Sequence, residues 1–235
     1  MSQAEFVFPA LERVALPVEG STRLAPVRRI YCVGRNYAEH IREMGGDERE
    51  LPFFFQKPTD SIVHDGAVVP YPPCTSDFQH EVELVLCIGE EGVDIPVERA
   101  GAHVFAVGAG IDLTRRDVQV QARKSGRPWE IGKSFDHSAP CGALRRVADG
   151  ALPESGRIEL KVNGEVRQQG DLRQMIWSAA EIVSNLSRQY RLFPGDLIFT
   201  GTPAGVGPLD RGDVVTASIE DVGAVEVRIG GRALN

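Results

Sequence analysis

IELKVNGEVRQQ, residues 158–169, is the stretch on which the fold class turns. Asn163–Gly164 stands between two alternating apolar and polar runs. Asn-Gly is the strongest short hairpin signal, because both turn positions require positive φ. Downstream the pattern stays mostly β: LIFTG follows the turn Pro194–Gly195–Asp196, and two closing strands are predicted near 213–220 and 224–229. Upstream, EVELVLCI (81–88) alternates between turn signals, and VFAVGAGI (104–111) reads as a strand buried on both faces. VRRIYCV (27–33) is a predicted strand broken at Gly34, FFFQ (53–56) a short one held between Pro52 and Pro58, and Pro70, Pro72 and Pro73 predict a loop. Helices are few. Asn36 is expected to cap YAEHIREM, ending at Gly45–Gly46, and Thr114 with Asp117 resembles a capping box for a helix toward Lys124. Ser178 and Glu181 form a capping box for a helix to about Tyr190. The expected class is mixed, β-rich α+β with a few helices. Residues 1–25 read as an N-terminal arm, irregular or a short strand pair, and 26–235 as one domain.

A chain of 235 residues holds one sizeable core and is short for two. Its 42% hydrophobic content, with 25 glycines besides, argues against disorder. The net charge of −7 argues against a nucleic-acid partner, which needs a surplus of Lys and Arg. Cys32, Cys74, Cys87 and Cys141 are far apart and contain no C-x-x-C pair, so they read as thiols in a reducing compartment. No apolar run approaches a membrane span, and MSQAEF lacks a signal-peptide pattern, so the cytoplasm is the expected location and no membrane partner is expected.

Glu81 and Glu83 are two apart on a predicted strand, so they share a face, roughly 6.5–7 Å apart along it. Val82, Leu84 and Leu86 take the other face. Such like charges repel unless something positive lies between them. Asp112 ends a strongly apolar strand, where a carboxylate needs a partner. Three carboxylates without Cys or clustered His favour Mg²⁺ or Mn²⁺ over zinc and leave positions open for water or substrate. The plainer alternative is a solvated strand face plus a helix-start aspartate.

His40 and Glu43 are three apart on a predicted short helix, where a carboxylate can orient an imidazole to take a proton from water. An ordinary exposed helix pair is the alternative. Lys57 (in FFFQKP) and Lys133 (in EIGKSF) sit among few other charges, and Arg35 and Arg116 flank the histidine helix and the aspartate strand. In an acidic chain, cations beside a site point to a small anionic substrate, with structural salt bridges the competing explanation. Two motifs fail: TGTPAGVGP lacks the Lys-Ser/Thr of a P-loop, and GAGIDL has Leu113 where the third dinucleotide-loop glycine belongs. The glycines of the 201–207 loop still permit close backbone approach to a substrate.

YCVGRNYAEHIREMG, FFFQKP, HEVELVLCIG, GAGIDLTRRDVQ, WEIGKSFDHSAP, VNGEVRQQG and PGDLIFTGTPAGVGP, in that order, resemble the fumarylacetoacetate hydrolase family over residues 27–230. GRNYAEH, REMG, KSFDHSAP and the length resemble its acylpyruvate hydrolase branch. The resemblance implies a rolled β fold of the family's own type with a few peripheral helices, a catalytic domain over 26–235, a homodimer, and Mg²⁺ or Mn²⁺ on Glu81, Glu83 and Asp112. It implies a water-activating dyad at His40 and Glu43, Lys133 near the metal, and substrate contacts from Arg116, Gln119 and Thr202. Arg35 and Lys57, on the cationic rim read from the residues themselves, are expected to join them in binding substrate. The expected reaction is cleavage of a carbon–carbon bond in a 2,4-dioxo acid such as fumarylpyruvate. Decarboxylation of oxaloacetate, or hydration or isomerisation of another 2-oxo acid, is the alternative on the same ligands. A non-catalytic domain binding a metal–keto-acid complex is the distant one.

Overall fold

A computed structural model describes residues 7–9, 12–37 and 50–232. The predicted helix with His40 and Glu43 lies outside them. Within them the structure is strand-rich. Phe53–Lys57, Arg29–Gly34, Asp196–Phe199, Val82–Ile88, Val104–Ile111, Ala139–Cys141 and Ile62–His64 are neighbours in that order in an eight-stranded mixed sheet, with Arg145–Arg146 pairing beside Val104–Ile111. A second, five-stranded sheet runs Glu165–Asp171, Arg157–Val162, Val214–Ile219, Gly223–Arg232 and Val68–Tyr71. The fold is thus the curled, β-rich type with few helices that the sequence predicts.

Alternation explains the layering. Val82, Leu84 and Leu86 face the larger core, where they meet Ile158, Leu160, Val215 and Val225 of the second sheet. Val85 and Cys87 face a smaller cluster with Ile30, Leu197 and Phe199, closed by Leu16 and Val18. Both faces of Val82–Ile88 are therefore buried, and a charge on this strand survives only at its end. Leu16 belongs to a strand pair, Ala15–Pro17 with Leu24–Pro26.

The hairpin at 158–169 forms as read, with Asn163 at φ 53° and Gly164 at φ 83°. The helix Ala179–Gln189 starts at the predicted capping box, Ser178 accepting from the Glu181 N–H while Glu181 accepts from the Ser178 N–H. Two local expectations need correction. Pro70 lies inside the strand Val68–Tyr71, which takes the outer position of its sheet and so tolerates a missing donor. Thr114 does not cap the helix Arg116–Lys124, whose first turn follows Arg115 without a side-chain cap; its hydroxyl is drawn instead to the Asp112 carbonyl and to Lys133. Among the described residues no helix is long and apolar enough to cross a membrane.

Candidate metal centre and substrate pocket

Register builds the site. Val82 pairs with Ile111 and Glu83 with Gly110 in the antiparallel ladder. One further bond, Asp112 N–H to the Glu81 carbonyl at 2.8 Å, extends it by a pair. Asp112 therefore lies opposite Glu81, and cross-strand partners share a face. Glu81, Glu83 and Asp112 are buried, and each offers an oxygen within 4.8 Å of those of the other two.

Cations close around two of the three. Lys133, 2% exposed, comes from the short helix Glu130–Lys133 and donates to Glu81 Oε2 (2.8 Å), Asp112 Oδ2 (2.7 Å) and Thr114 Oγ1 (2.7 Å). Burial works against its charge, but the carboxylates of Asp112 and Glu81 outweigh it and raise the Lys133 pKa. Lys57 Nζ lies 2.8 Å from Asp112 Oδ1 and donates to the carbonyls of Leu113 and Lys133. Arg116 bonds Glu81, and also Gln79 (2.8 Å) and Gln119 (2.6 Å). Since the Gln119 carbonyl oxygen accepts from Arg116, its NH₂ is left as the donor.

Glu83 is different. The only hydrogen bond to its carboxylate among the described residues comes from the Gly201 N–H, at 2.7 Å to Oε2. Burial first, then the charges of Asp112 and Glu81, push its pKa well above the usual carboxylate value. A buried, crowded carboxylate with one neutral donor is a position that a divalent cation would satisfy. An all-oxygen donor set suits a hard ion such as Mg²⁺ or Mn²⁺. The residues present fit the metal.

The pocket in front of the triad is lined by Arg35, Phe55, Arg116, Gln119, Lys133 and Thr202, with Trp129 and Gly34 on its apolar side. Arg35 holds φ at 59°, an uncommon value for a residue with a side chain, and its buried Nε has no partner among the described residues. The structure thus brings together Glu81, Glu83, Asp112, Lys133, Arg35, Arg116, Gln119 and Thr202. Lys57 sits behind the wall, supporting Asp112 rather than lining the pocket.

Three contributors escaped the sequence reading. Asn36, read as a helix cap, bonds the Trp177 N–H and the carbonyls of Trp177 and Thr200. Gln168 binds His80 Nδ1 at 2.9 Å and Thr202 Oγ1 at 2.8 Å. Burial lowers the His80 pKa, keeping the ring neutral. A signal for Gln168 existed: it pairs across the hairpin with Leu160, a core position where an amide needs buried partners.

A buried carboxylate triad beside a cationic pocket on a curled β fold is the layout of a metal-dependent enzyme for small anions. Residues 29–230 match the family described as fumarylacetoacetate (FAA) hydrolase C-terminal. A fumarylpyruvate hydrolase of Ralstonia sp. is 40% identical over 181 residues, 77% of this chain and 94% of the relative. The mouse mitochondrial oxaloacetate tautomerase FAHD1 is 39% identical over 205 residues, 86% of this chain and 91% of the relative. The crystal structure of fumarylpyruvate hydrolase from Pseudomonas aeruginosa in complex with Mn²⁺ and pyruvate superposes with a TM-score of 0.94 at 48% identity, covering 97% of this chain and 100% of that one. The chain belongs to the fumarylacetoacetate hydrolase family.

Proposed function

We propose that the protein hydrolyses a carbon–carbon bond in an acylpyruvate, fumarylpyruvate being the substrate, to give fumarate and pyruvate. The observation that carries this reading is the opening of the Glu81–Glu83–Asp112 triad onto a pocket of donors and cations, in a chain 48% identical to a hydrolase whose crystal structure holds Mn²⁺ and pyruvate. Mg²⁺ or Mn²⁺ on the three carboxylates would polarise the 2-oxo group and stabilise enolate charge. Arg116, Gln119 and Thr202 orient the pyruvoyl end, and Arg35, whose Nε has no partner among the described residues, receives the distal carboxylate. His40, oriented by Glu43, removes a proton from water as its oxygen adds to C4. The C3–C4 bond then breaks: C4 leaves as the fumarate carboxyl carbon, and the pair of electrons passes to the pyruvate enolate, which takes up a proton at C3. Glu81 and Asp112 would hold the metal, and Lys133, which donates to both, would be placed to turn an N–H toward that enolate. The same reading carries a homodimer in the cytoplasm.

The mouse relative's name supports a second reading, tautomerisation of oxaloacetate, which shares the 2-oxo acid but breaks no carbon–carbon bond. Decarboxylation of oxaloacetate is a third use of the same carboxylates. Absorbance of a panel of acylpyruvates, and of oxaloacetate, should be followed with Mg²⁺ and after EDTA. Metal-dependent loss of fumarylpyruvate absorbance with matching release of pyruvate is expected. Enol–keto exchange of oxaloacetate with acylpyruvates untouched would overturn the hydrolase in favour of the second reading.

A further inference from the structure

We propose that Gln168 is a positioning residue that forces the Thr202 hydroxyl to act as a hydrogen-bond donor to the carboxylate of the bound 2-oxo acid, an inference that rests on the substrate class proposed above. Gln168 is on Glu165–Asp171, a strand of the second sheet, and reaches across to the site from the far side of the hairpin. It is 1% exposed, and four contacts use its whole amide. Oε1 accepts from the Val82 N–H at 3.1 Å and lies 2.9 Å from His80 Nδ1; Nε2 donates to Thr202 Oγ1 at 2.8 Å and to the Pro203 carbonyl at 2.9 Å.

Two of these partners have only one possible role. The Val82 N–H can only donate and the Pro203 carbonyl can only accept. The amide therefore cannot flip, because flipping would set N–H against N–H and oxygen against oxygen. Two consequences follow. His80 must carry its proton on Nδ1, which faces Oε1. Thr202 Oγ1 must accept from Nε2, so its own hydrogen has to go elsewhere. Among the described residues nothing accepts that hydrogen, and Thr202 lines the pocket beside Glu83 and Arg35. A buried hydroxyl whose lone pair is already engaged offers a donor at little reorganisation cost, which an anionic carboxylate uses fully. Left free to rotate, the same hydroxyl would satisfy the carboxylate only part of the time.

Gln168→Glu tests this with almost no change in shape. While ionised, a carboxylate at 168 keeps both acceptor contacts but can no longer donate, so the Thr202 hydroxyl turns away from the pocket toward it. It also sets an oxygen against the Pro203 carbonyl, and the uncharged Gln168→Met variant separates that repulsion from the effect of the hydroxyl. The dissociation constant of pyruvate should be measured by calorimetry on Mn²⁺-loaded wild type, Gln168→Glu, Thr202→Val and the double variant. Each single change is expected to weaken pyruvate about 10- to 100-fold, the range for a hydrogen bond to a charged group. The double variant is expected to bind like Thr202→Val alone, because the effect of residue 168 passes through the hydroxyl. Thr202→Ser, which keeps the hydroxyl, is expected to bind like wild type and to remain sensitive to Gln168→Glu. The uncharged Gln168→Met should show a smaller loss that also vanishes without the hydroxyl.

Losses that multiply in the double variant would mean that the new charge repels pyruvate directly, and would overturn the proposal. So would a fall in Mn²⁺ affinity or melting temperature that accounts for the whole pyruvate effect. If Mn²⁺-loaded wild type binds no pyruvate at all, the substrate class itself is wrong and this inference falls with it. Wild-type binding with multiplying losses overturns the role of Gln168 alone.

Discussion

The Gly201 N–H donates to Glu83 Oε2 at 2.7 Å, which makes the loop after Asp196–Phe199 part of the metal centre. Gly201 holds φ at +98°, and a Cβ there would stand 2.6 Å from Asn36 Cβ. Gly201→Ala is expected to cost about 1–3 kcal/mol of stability through strain and overpacking. Because the displaced N–H also leaves Glu83, Mn²⁺ affinity should fall as well. Thermal melts with and without Mn²⁺ check both; an unchanged melting temperature would show that the loop yields without strain.

Glu83→Gln separates stability from function. The amide keeps an oxygen for the Gly201 N–H but removes a carboxylate crowded by Asp112 and Glu81. Without metal, the variant is expected to melt higher than the metal-free wild type, since a buried charge repelled by its neighbours is gone. Its Mn²⁺ affinity should drop by more than about 100-fold, the upper end of what losing an outer-shell partner costs. Titration calorimetry beside melting curves tests the pair of outcomes. A metal-free variant that melts lower would mean that Glu83 is a structural anchor.

Lys133 spends all three of its N–H bonds on Glu81, Asp112 and Thr114. If those bonds turn to the enolate during turnover, Lys133→Met should lower kcat about 10²–10³-fold with little change in KM. A counter-ion role alone predicts weaker metal binding and normal turnover once Mg²⁺ saturates. Steady-state kinetics across a Mg²⁺ series distinguish them, and wild-type kcat at high Mg²⁺ would remove Lys133 from the chemistry.

His40 is the proposed base for water. His40→Asn should slow acylpyruvate hydrolysis about 10²–10⁴-fold, as loss of a general base does, while Mn²⁺ binding stays near wild type. Any decarboxylation of oxaloacetate should suffer less, because no water attacks there. Equal losses in both reactions, followed by pyruvate release, would point to binding or folding instead.

Local pattern carried much of this protein into view. Period-two alternation in 81–88 assigned Glu81 and Glu83 to one face, because side chains alternate on any strand wherever it lies. Asn163–Gly164 and the Ser178–Glu181 box were legible for the same reason: their hydrogen bonds close within a few residues. The ordered motifs added the family, since each motif is contiguous. Pro70 and Thr114 were misread because a proline's place at a sheet edge and a threonine's choice between a helix end and a buried lysine depend on distant neighbours.

Only the tertiary structure decided how the groups meet. The antiparallel register put Asp112 opposite Glu81, and that register depends on packing of both strand faces, beyond the strands' own sequences. Lys57 looked like a pocket residue in sequence but stands behind Asp112, while Gln168 looked like a polar hairpin residue but is buried against His80 and Thr202. The sequence alone determined which chemical groups were available and which strand faces would carry them. Which charges would be buried together, and which donors would be left for a substrate, followed from contacts between residues far apart in the chain, 118 positions for Gly201 and Glu83 and 164 for Asn36 and Thr200, and such contacts form only when the sheets close on one another.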